Sequence, residues 1–292
     1  MDWFEEAYHP RWRQRIRVER VVHRERSAFQ DILVFDSVDF GRVLVLDGVL
    51  QTTERDEFVY HEMMAHVPLL AHGRAREVLI VGGGDGGVLE EVLKHPGVER
   101  AVMVELDPRV VEVSRSFLPS IGGGAFDDPR SEIRFEDGAA FVAASERRFD
   151  VIIVDSTDPV GPSEELFNEA FYAACKRCLH PGGVLVNQSG NAWGEERTLW
   201  RTVHGLRRHF AAVDFYGSAP PTYFSGLFTH GFASDDPRTL ALDASELTRR
   251  GVPAGLRYYA PAVHVAAFAH PPWLEQAVAR PDPPPATFTI GS

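Results

Sequence analysis

Two short stretches of this 292-residue chain hold side chains whose types and spacing could do chemistry. Gly82-Gly83-Gly84-Asp85-Gly86-Gly87 follows an apolar run over residues 78–81 and precedes helical spacing over 88–95. Glycine there lets the backbone turn tightly and lets a ligand approach the main chain. Gly82, Gly84 and Gly87 satisfy the dinucleotide spacing, and Glu105 stands where an acid can accept hydrogen bonds from both ribose hydroxyls. Asp85 decides which nucleoside fits: a pyrophosphate on this loop would meet its carboxylate, whereas a cationic group would be stabilised. The loop therefore favours an adenosine carrying positive charge, such as a sulfonium with an amine tail. Asp137-Gly138 is placed to read the adenine amino group, and Asp137 equally suits the N-cap of the run that follows.

The second stretch is Asp155-Ser156-Thr157-Asp158-Pro159, after the apolar run at 151–154. Two carboxylates three residues apart, on a loop stiffened by Pro159 and Pro162, suit a general base paired with a cation-binding group. A turn with local side-chain caps is the bland reading of the same residues.

These groups need elements to bring them together. Residues 101–105, 133–135 and 151–155 repeat the short buried-strand pattern of 78–81, each with a carboxylate at or just beyond its end. A helical stretch over 108–117 lies between two of them. Strands alternating with helices predict a parallel α/β sheet with right-handed crossovers, whose ligands bind beyond the carboxyl ends of the strands. Before residue 60 the pattern differs: segments at 32–35 and 43–46, with Asp47-Gly48 before Val49-Leu50-Gln51, predict an antiparallel meander closed by a tight hairpin. The expected organisation is a small N-terminal β domain over 1–63, a Rossmann-like catalytic domain of methyltransferase type over 64–280, and a proline-rich tail over 281–292. The meander has too few strands to enclose a good core alone, so it is expected to pack against a neighbouring subunit as well.

Composition bounds the partners. There are 30 basic and 42 acidic residues, a net charge of −12, which argues against duplex DNA or an anionic membrane and is compatible with a cationic ligand. Neither a signal-peptide-type run near the start nor a stretch of about 20 apolar residues is present. The two cysteines, Cys175 and Cys178, form no disulfide framework and suggest a reducing, cytoplasmic setting. They form a C-x-x-C on a helix that Pro181-Gly182-Gly183 should end, a pattern that suits packing better than metal or redox chemistry. Trp3 and Trp12 could cover a cationic amine, though packing is favoured for both.

With these residues in view, the chain resembles the spermidine synthases, polyamine aminopropyltransferases, and most of all their bacterial branch. The matching stretches are Gln30-Asp31-Ile32-Leu33, GRVLVLDGVLQTTERDEFVYHEMMAHVP over 41–68, VGGGDGG from Val81, Glu105-Leu106-Asp107 and Asp137-Gly138. They continue with DSTDPVGP over 155–162, Pro221-Thr222-Tyr223 and Arg257-Tyr258-Tyr259, so the resemblance spans roughly residues 8–275. It implies transfer of the aminopropyl group of decarboxylated S-adenosylmethionine to putrescine, giving spermidine and methylthioadenosine. It assigns Gln30, His61, Asp85, Glu105, Asp137, Gly138 and Pro162 to the nucleoside substrate. Asp155 it makes the proton acceptor, with Tyr60, Asp158, Gln188 and Tyr223 around the diamine. It implies a homodimer or homotetramer and no metal or redox cofactor. Phe224-Ser225-Gly226 departs from the proline or tyrosine that many relatives carry after the matching tyrosine, and Asn187-Gln188-Ser189 varies in the family. Both touch the acceptor region, so cadaverine, agmatine or spermidine are alternative acceptors. A methyltransferase using intact S-adenosylmethionine is disfavoured because Asp85 would repel its carboxylate, and a nicotinamide dehydrogenase because the same group would meet pyrophosphate.

The chemistry sets a clear demand on the site. An alkyl ammonium has a pKa of about 10.4 and attacks only when neutral, so deprotonation at pH 7 costs roughly 4.6 kcal/mol. A neighbouring sulfonium and an apolar pocket lower that cost, while Asp155 takes the proton directly or through water.

Overall fold

The structure, a computed structural model, describes residues 2–6, 8, 9, 12–157 and 161–285, with Gly161 and Pro162 described in backbone only. Asp158 and Pro159 therefore lie outside the described residues, as does the end of the proline-rich tail from residue 286.

The first strands are β1 (Trp3–Glu5) and β2 (Arg15–Arg17), a two-stranded antiparallel ribbon. Next come β3 (Arg20–Arg26), β4 (Asp31–Ser37), β5 (Gly41–Leu46) and β6 (Val49–Thr53), an antiparallel sheet in sequential order. The expected hairpin is present between β5 and β6. Asp47 and Gly48 both have positive φ, 49° and 79°, the conformation that a two-residue turn needs to match the twist of its strands.

Alternation along β4 sends its side chains to two different cores. Leu33 and Phe35 pack with Phe4, Ile16, Val18 and Leu50, under the ribbon. Ile32 and Val34 pack with Val110, Val113, Leu118 and Ile121 on the other face. The chain thus packs segments of its own against both faces of this sheet.

The rest of the chain runs α1 (Glu57–His72), β7 (Glu77–Gly82), α2 (Gly87–Leu93), β8 (Arg100–Glu105), α3 (Pro108–Phe117), α4 (Pro119–Gly122), β9 (Ser131–Phe135), α5 (Gly138–Ala144) and β10 (Phe149–Asp155). It continues with α6 (Glu169–Arg177), β11 (Leu179–Asn191), α7 (Glu196–Arg207), β12 (Ala212–Ser218), β13 (Phe228–Ser234), α8 (Ala244–Arg249), α9 (Pro261–Ala267) and α10 (Pro272–Val278). Seven strands form one sheet in the order β12-β13-β11-β10-β7-β8-β9. The five from β11 to β9 are parallel, whereas β13 and β12 add as an antiparallel edge.

Both faces of the parallel strands are buried, which explains why they read as continuous apolar runs. Val78, Ile80, Met103 and Ile153 face α1 and α2, with Met63, Leu70, Val88 and Val92. Leu79, Val81, Val102 and Ile152 face the other way, toward Val142, Phe171 and Leu206 of α5, α6 and α7. Cys175 and Cys178 are buried free thiols in this second core. The glycines expected to end their helix lie instead inside β11, since the helix already stops at Arg177. Strand order reverses at β7, so a crevice opens beyond Gly82 between the exits of β8 and β10.

Candidate active site

A cleft of about 420 Å³ fills that crevice and extends under the N-terminal sheet. The glycine turn forms its floor. Gly82 has φ +86°, and a Cβ there would collide with the Asp155 carbonyl, while one on Gly87 would collide with the His61 ring. Glycine at these two positions lets β7 meet β10 and α2 meet α1.

Gln30, His61, Asp85, Glu105, Asp137, Gly138, Tyr60, Asp155, Gln188 and Tyr223 all line the one cleft. Of the remaining expected residues, Asp158 lies outside the described residues, and Pro162 sits in a short 3₁₀ turn described in backbone only.

On the β8–β9 side, Glu105 accepts a 2.9 Å hydrogen bond from the Asp107 amide. Burial nevertheless pushes its carboxyl up to about 7. Asp107, to which the sequence analysis assigned no role, ties the wall together. It caps α3 by accepting from the Arg109 amide at 3.0 Å, and it accepts from the Ser27 hydroxyl at 2.6 Å and from Gln30 Nε2 at 3.0 Å. Its position before Pro108 is the available signal, an acid one residue ahead of a helix-starting proline. Asp137 caps α5, its Oδ1 accepting from the Ala140 amide at 2.8 Å, so the N-cap reading of this residue holds while it also borders the cleft.

At the centre, Asp85 Oδ1 accepts from the Gly87 amide at 2.9 Å, and Oδ2 lies 3.3 Å from His61 Nε2. The other ring nitrogen of His61 lies 2.8 Å from Glu57 Oε2. Burial works against the charged imidazole, but Asp85 and Glu57 outweigh it and hold the His61 pKa well above the usual range. Reciprocally, burial would raise the Asp85 carboxyl, yet His61 and the Gly87 amide keep it low.

Asp155, at the exit of β10, is the opposite case. Tyr60 donates to its Oδ1 at 2.7 Å, but burial and then the nearby charge of Asp85 push it up to about 6. Tyr60 in turn is buried against Tyr223 and Phe228, with ring centroids 5.7 Å away in each case. The Tyr223 hydroxyl donates to the Gln51 carbonyl at 2.6 Å, so β6 positions it. Asp56, buried at the turn before α1, accepts from the Thr53 hydroxyl at 2.6 Å, and from the Thr222 amide and hydroxyl at 2.7 and 2.6 Å. Gln188 is buried beside Asp155 on the next strand, and its Oε1 accepts from the Gly190 amide at 2.9 Å.

The described lining includes Glu6, Asp47, Asp85, Glu105, Asp137 and Asp155 and not one lysine or arginine. His61 is the charged counterweight, and it belongs to Asp85. The wall can therefore hold a ligand with positive charge at more than one point. Trp3 and Trp12 do not border the cleft: Trp3 lies under the Arg15 guanidinium, and Trp12 packs edge-on against Phe224. His264 is likewise a structural group, its Nδ1 lying 2.9 Å from the Tyr259 hydroxyl.

The order of the strands, the covered N-terminal sheet and the acidic crevice beyond β7 define an enzyme of the methyltransferase-like α/β class. Within it the chain belongs to the spermine/spermidine synthase family of polyamine aminopropyltransferases. Residues 57–243 match the spermine/spermidine synthase domain, and residues 2–54 match the spermidine synthase tetramerisation domain. It is 48% identical to the polyamine aminopropyltransferase of Serratia proteamaculans over 94% of this chain and 96% of that protein. The polyamine aminopropyltransferase of an Escherichia coli O157:H7 strain matches at the same identity and coverage. Among solved structures, a spermidine synthase in complex with the transition-state analogue AdoDATO superposes with a TM-score of 0.90 at 38% identity, covering 94% of both chains. The spermidine synthase of Thermotoga maritima gives 0.87 at 37% identity, covering 94% of this chain and 93% of that one.

Proposed function

We propose that this enzyme moves the aminopropyl group of decarboxylated S-adenosylmethionine to putrescine, releasing spermidine and methylthioadenosine. The carrying observation is the pairing of two carboxylates held in opposite states across a cation-poor cleft. Asp85 is kept ionised by His61, and Asp155 is poised near 6 under the Tyr60 hydroxyl. In this reading the adenine lies by Asp137, Gly138 and Pro162, the ribose hydroxyls bond Glu105 and Gln30, and Asp85 with His61 receives the donor's ammonium tail. The diamine lies among Tyr60, Gln188 and Tyr223, with Asp158 holding positive charge. Its neutral nitrogen attacks the methylene next to sulfur. The carbon–sulfur bond breaks with its electron pair going to sulfur, which becomes a neutral thioether, and Asp155 receives the proton directly or through water. The gain comes from alignment of nitrogen, carbon and sulfur and from proton removal, so the displacement needs neither metal nor redox cofactor. The proposed setting is cytoplasmic, and the N-terminal match supports assembly as a homodimer or homotetramer.

Asp155→Asn tests the central assignment. It should keep the cleft's shape and lower kcat by about 10²–10⁴-fold, the usual contribution of a general base, with donor affinity little changed. Single-turnover rates at saturating donor and putrescine provide the check. A normal rate in the variant would reduce Asp155 to a binding residue.

A further inference from the structure

The acceptor half of the cleft ends in charged groups that the proposed reaction does not use. Glu6 of the N-terminal segment is buried and lines the cleft, with Oε1 accepting from the Leu50 amide at 2.9 Å. Behind it Glu195 is also buried; it accepts a bond from the Tyr8 hydroxyl, and its Oε2 accepts from Asn191 Nδ2 at 3.0 Å and from the Asn191 amide. Among the described residues, neither carboxylate forms an ion pair with a lysine, arginine or histidine. Taking a carboxylate out of water without a counter-charge is costly, and in this cleft burial pushes Glu6 up to about 7 and raises Glu195.

A second observation points the same way. Asn191 lines the cleft, is only 6% exposed, and its Oδ1 has no hydrogen-bond partner among the described residues. A buried acceptor left open beside two carboxylates lacks a donor with positive charge. Strand order locates this wall. Glu105 and Asp137 follow β8 and β9 on one side of β7, whereas Asp155 and then Asn191 follow β10 and β11 on the other. The wall is thus on the side of Asp155 away from the nucleoside groups.

We propose that Glu195 is a specificity-determining positioning residue. By holding Tyr8 and Asn191 it builds, with Glu6, an acidic end wall, ionised in full when a second cationic group arrives, that selects acceptors carrying such a group over amines that carry one. The inference rests on the aminopropyl-transfer reading. Glu195 does not itself line the cleft; it acts through the oriented Asn191 amide, the Tyr8 ring and its own charge.

The test compares putrescine with 1-aminobutane, which has the same carbon chain and one amine. Glu195→Gln should raise KM for putrescine about 10- to 100-fold, the range for a lost interaction with a charged partner. Its kcat at saturation should stay within about threefold, and KM or the inhibition constant of 1-aminobutane should move no more than that. The preference for the diamine then collapses while methylthioadenosine binding is preserved. Tyr8→Phe, which removes one bond to Glu195 and no charge, should shift the preference the same way by less. Equal losses for both amines in both variants, or an unchanged preference, would overturn the proposal. A wild-type enzyme that transfers to amines but ignores the second charge sinks this inference alone. One that produces no methylthioadenosine with any amine sinks the transfer reading as well.

Discussion

Asp85 and Asp155 are the same residue type at the exits of adjacent strands, and their surroundings push their protons apart. His61 holds the Asp85 carboxyl low, whereas burial and then the charge of Asp85 push Asp155 up to about 6, as the proposed base requires. The sign follows directly. Asp155 accepts a proton only when ionised, so kcat/KM should fall as pH drops through about 6. The Tyr60 hydroxyl favours the ionised form, so Tyr60→Phe should move that acid limb to higher pH, measured as a kcat/KM profile between about pH 5 and 8. A limb that stays in place would mean that another group sets it. At this scale the sequence was informative where chemistry and strand ends coincide, as at Asp85, Glu105, Asp137 and Asp155. Glu6 and Glu195 left no such mark. Tyr8 and Glu195 are 187 residues apart, and only the fold makes them partners.

Among elements, α1 does the most positioning. Its first turns carry Tyr60 and His61 into the cleft, and two buried acids at its start fasten other segments to it. Asp56 holds the Thr222–Tyr223 turn, while Glu62 accepts from the amides of Arg257, Tyr258 and Tyr259 at 2.7, 2.8 and 2.6 Å. Asp56→Ala would strand the Thr222 amide and hydroxyl. We expect a loss of at least ~2 kcal/mol in urea unfolding, together with a raised KM for the amine, because Tyr223 is on the released turn. Unchanged amine KM in a destabilised variant would limit Asp56 to stability. The strands from β7 to β10 and the hairpin at Asp47-Gly48 were readable because apolar runs and positive-φ turn residues leave a local signal. The strands β11 to β13 were not. Gln188, Ser189, Thr229 and His230 are buried there among apolar neighbours, Ser189 and Thr229 bonding to backbone groups and His230 to Ser218, and such buried polar positions interrupt the apolar period.

On the scale of the whole molecule, the α/β architecture followed from alternation of strand and helix patterns. How the chain itself covers the N-terminal sheet was not legible in the sequence, because the cover comes from segments remote from it. The ribbon packs on one face and residues of α3 and α4 on the other, and the segment that supplies Glu6 and Tyr8 to the cleft belongs to the same N-terminal unit. The absence of lysine and arginine from the described lining has a further consequence, for traffic rather than chemistry. With a net charge of −12 around it, the cleft is a sink for polycations, and long-range attraction should speed their arrival at low salt. The same field resists their departure. Under the proposed reaction, positive charge leaves the nucleoside, whose thioether product is neutral, and the elongated amine departs with three charges where its precursor brought two. Adding salt should therefore lower kcat/KM for the amine while raising kcat, wherever escape of the polyamine limits the cycle. Stopped-flow release measured across ionic strength would show the two parameters moving in opposite directions, and parallel declines would place the slow step in the chemistry.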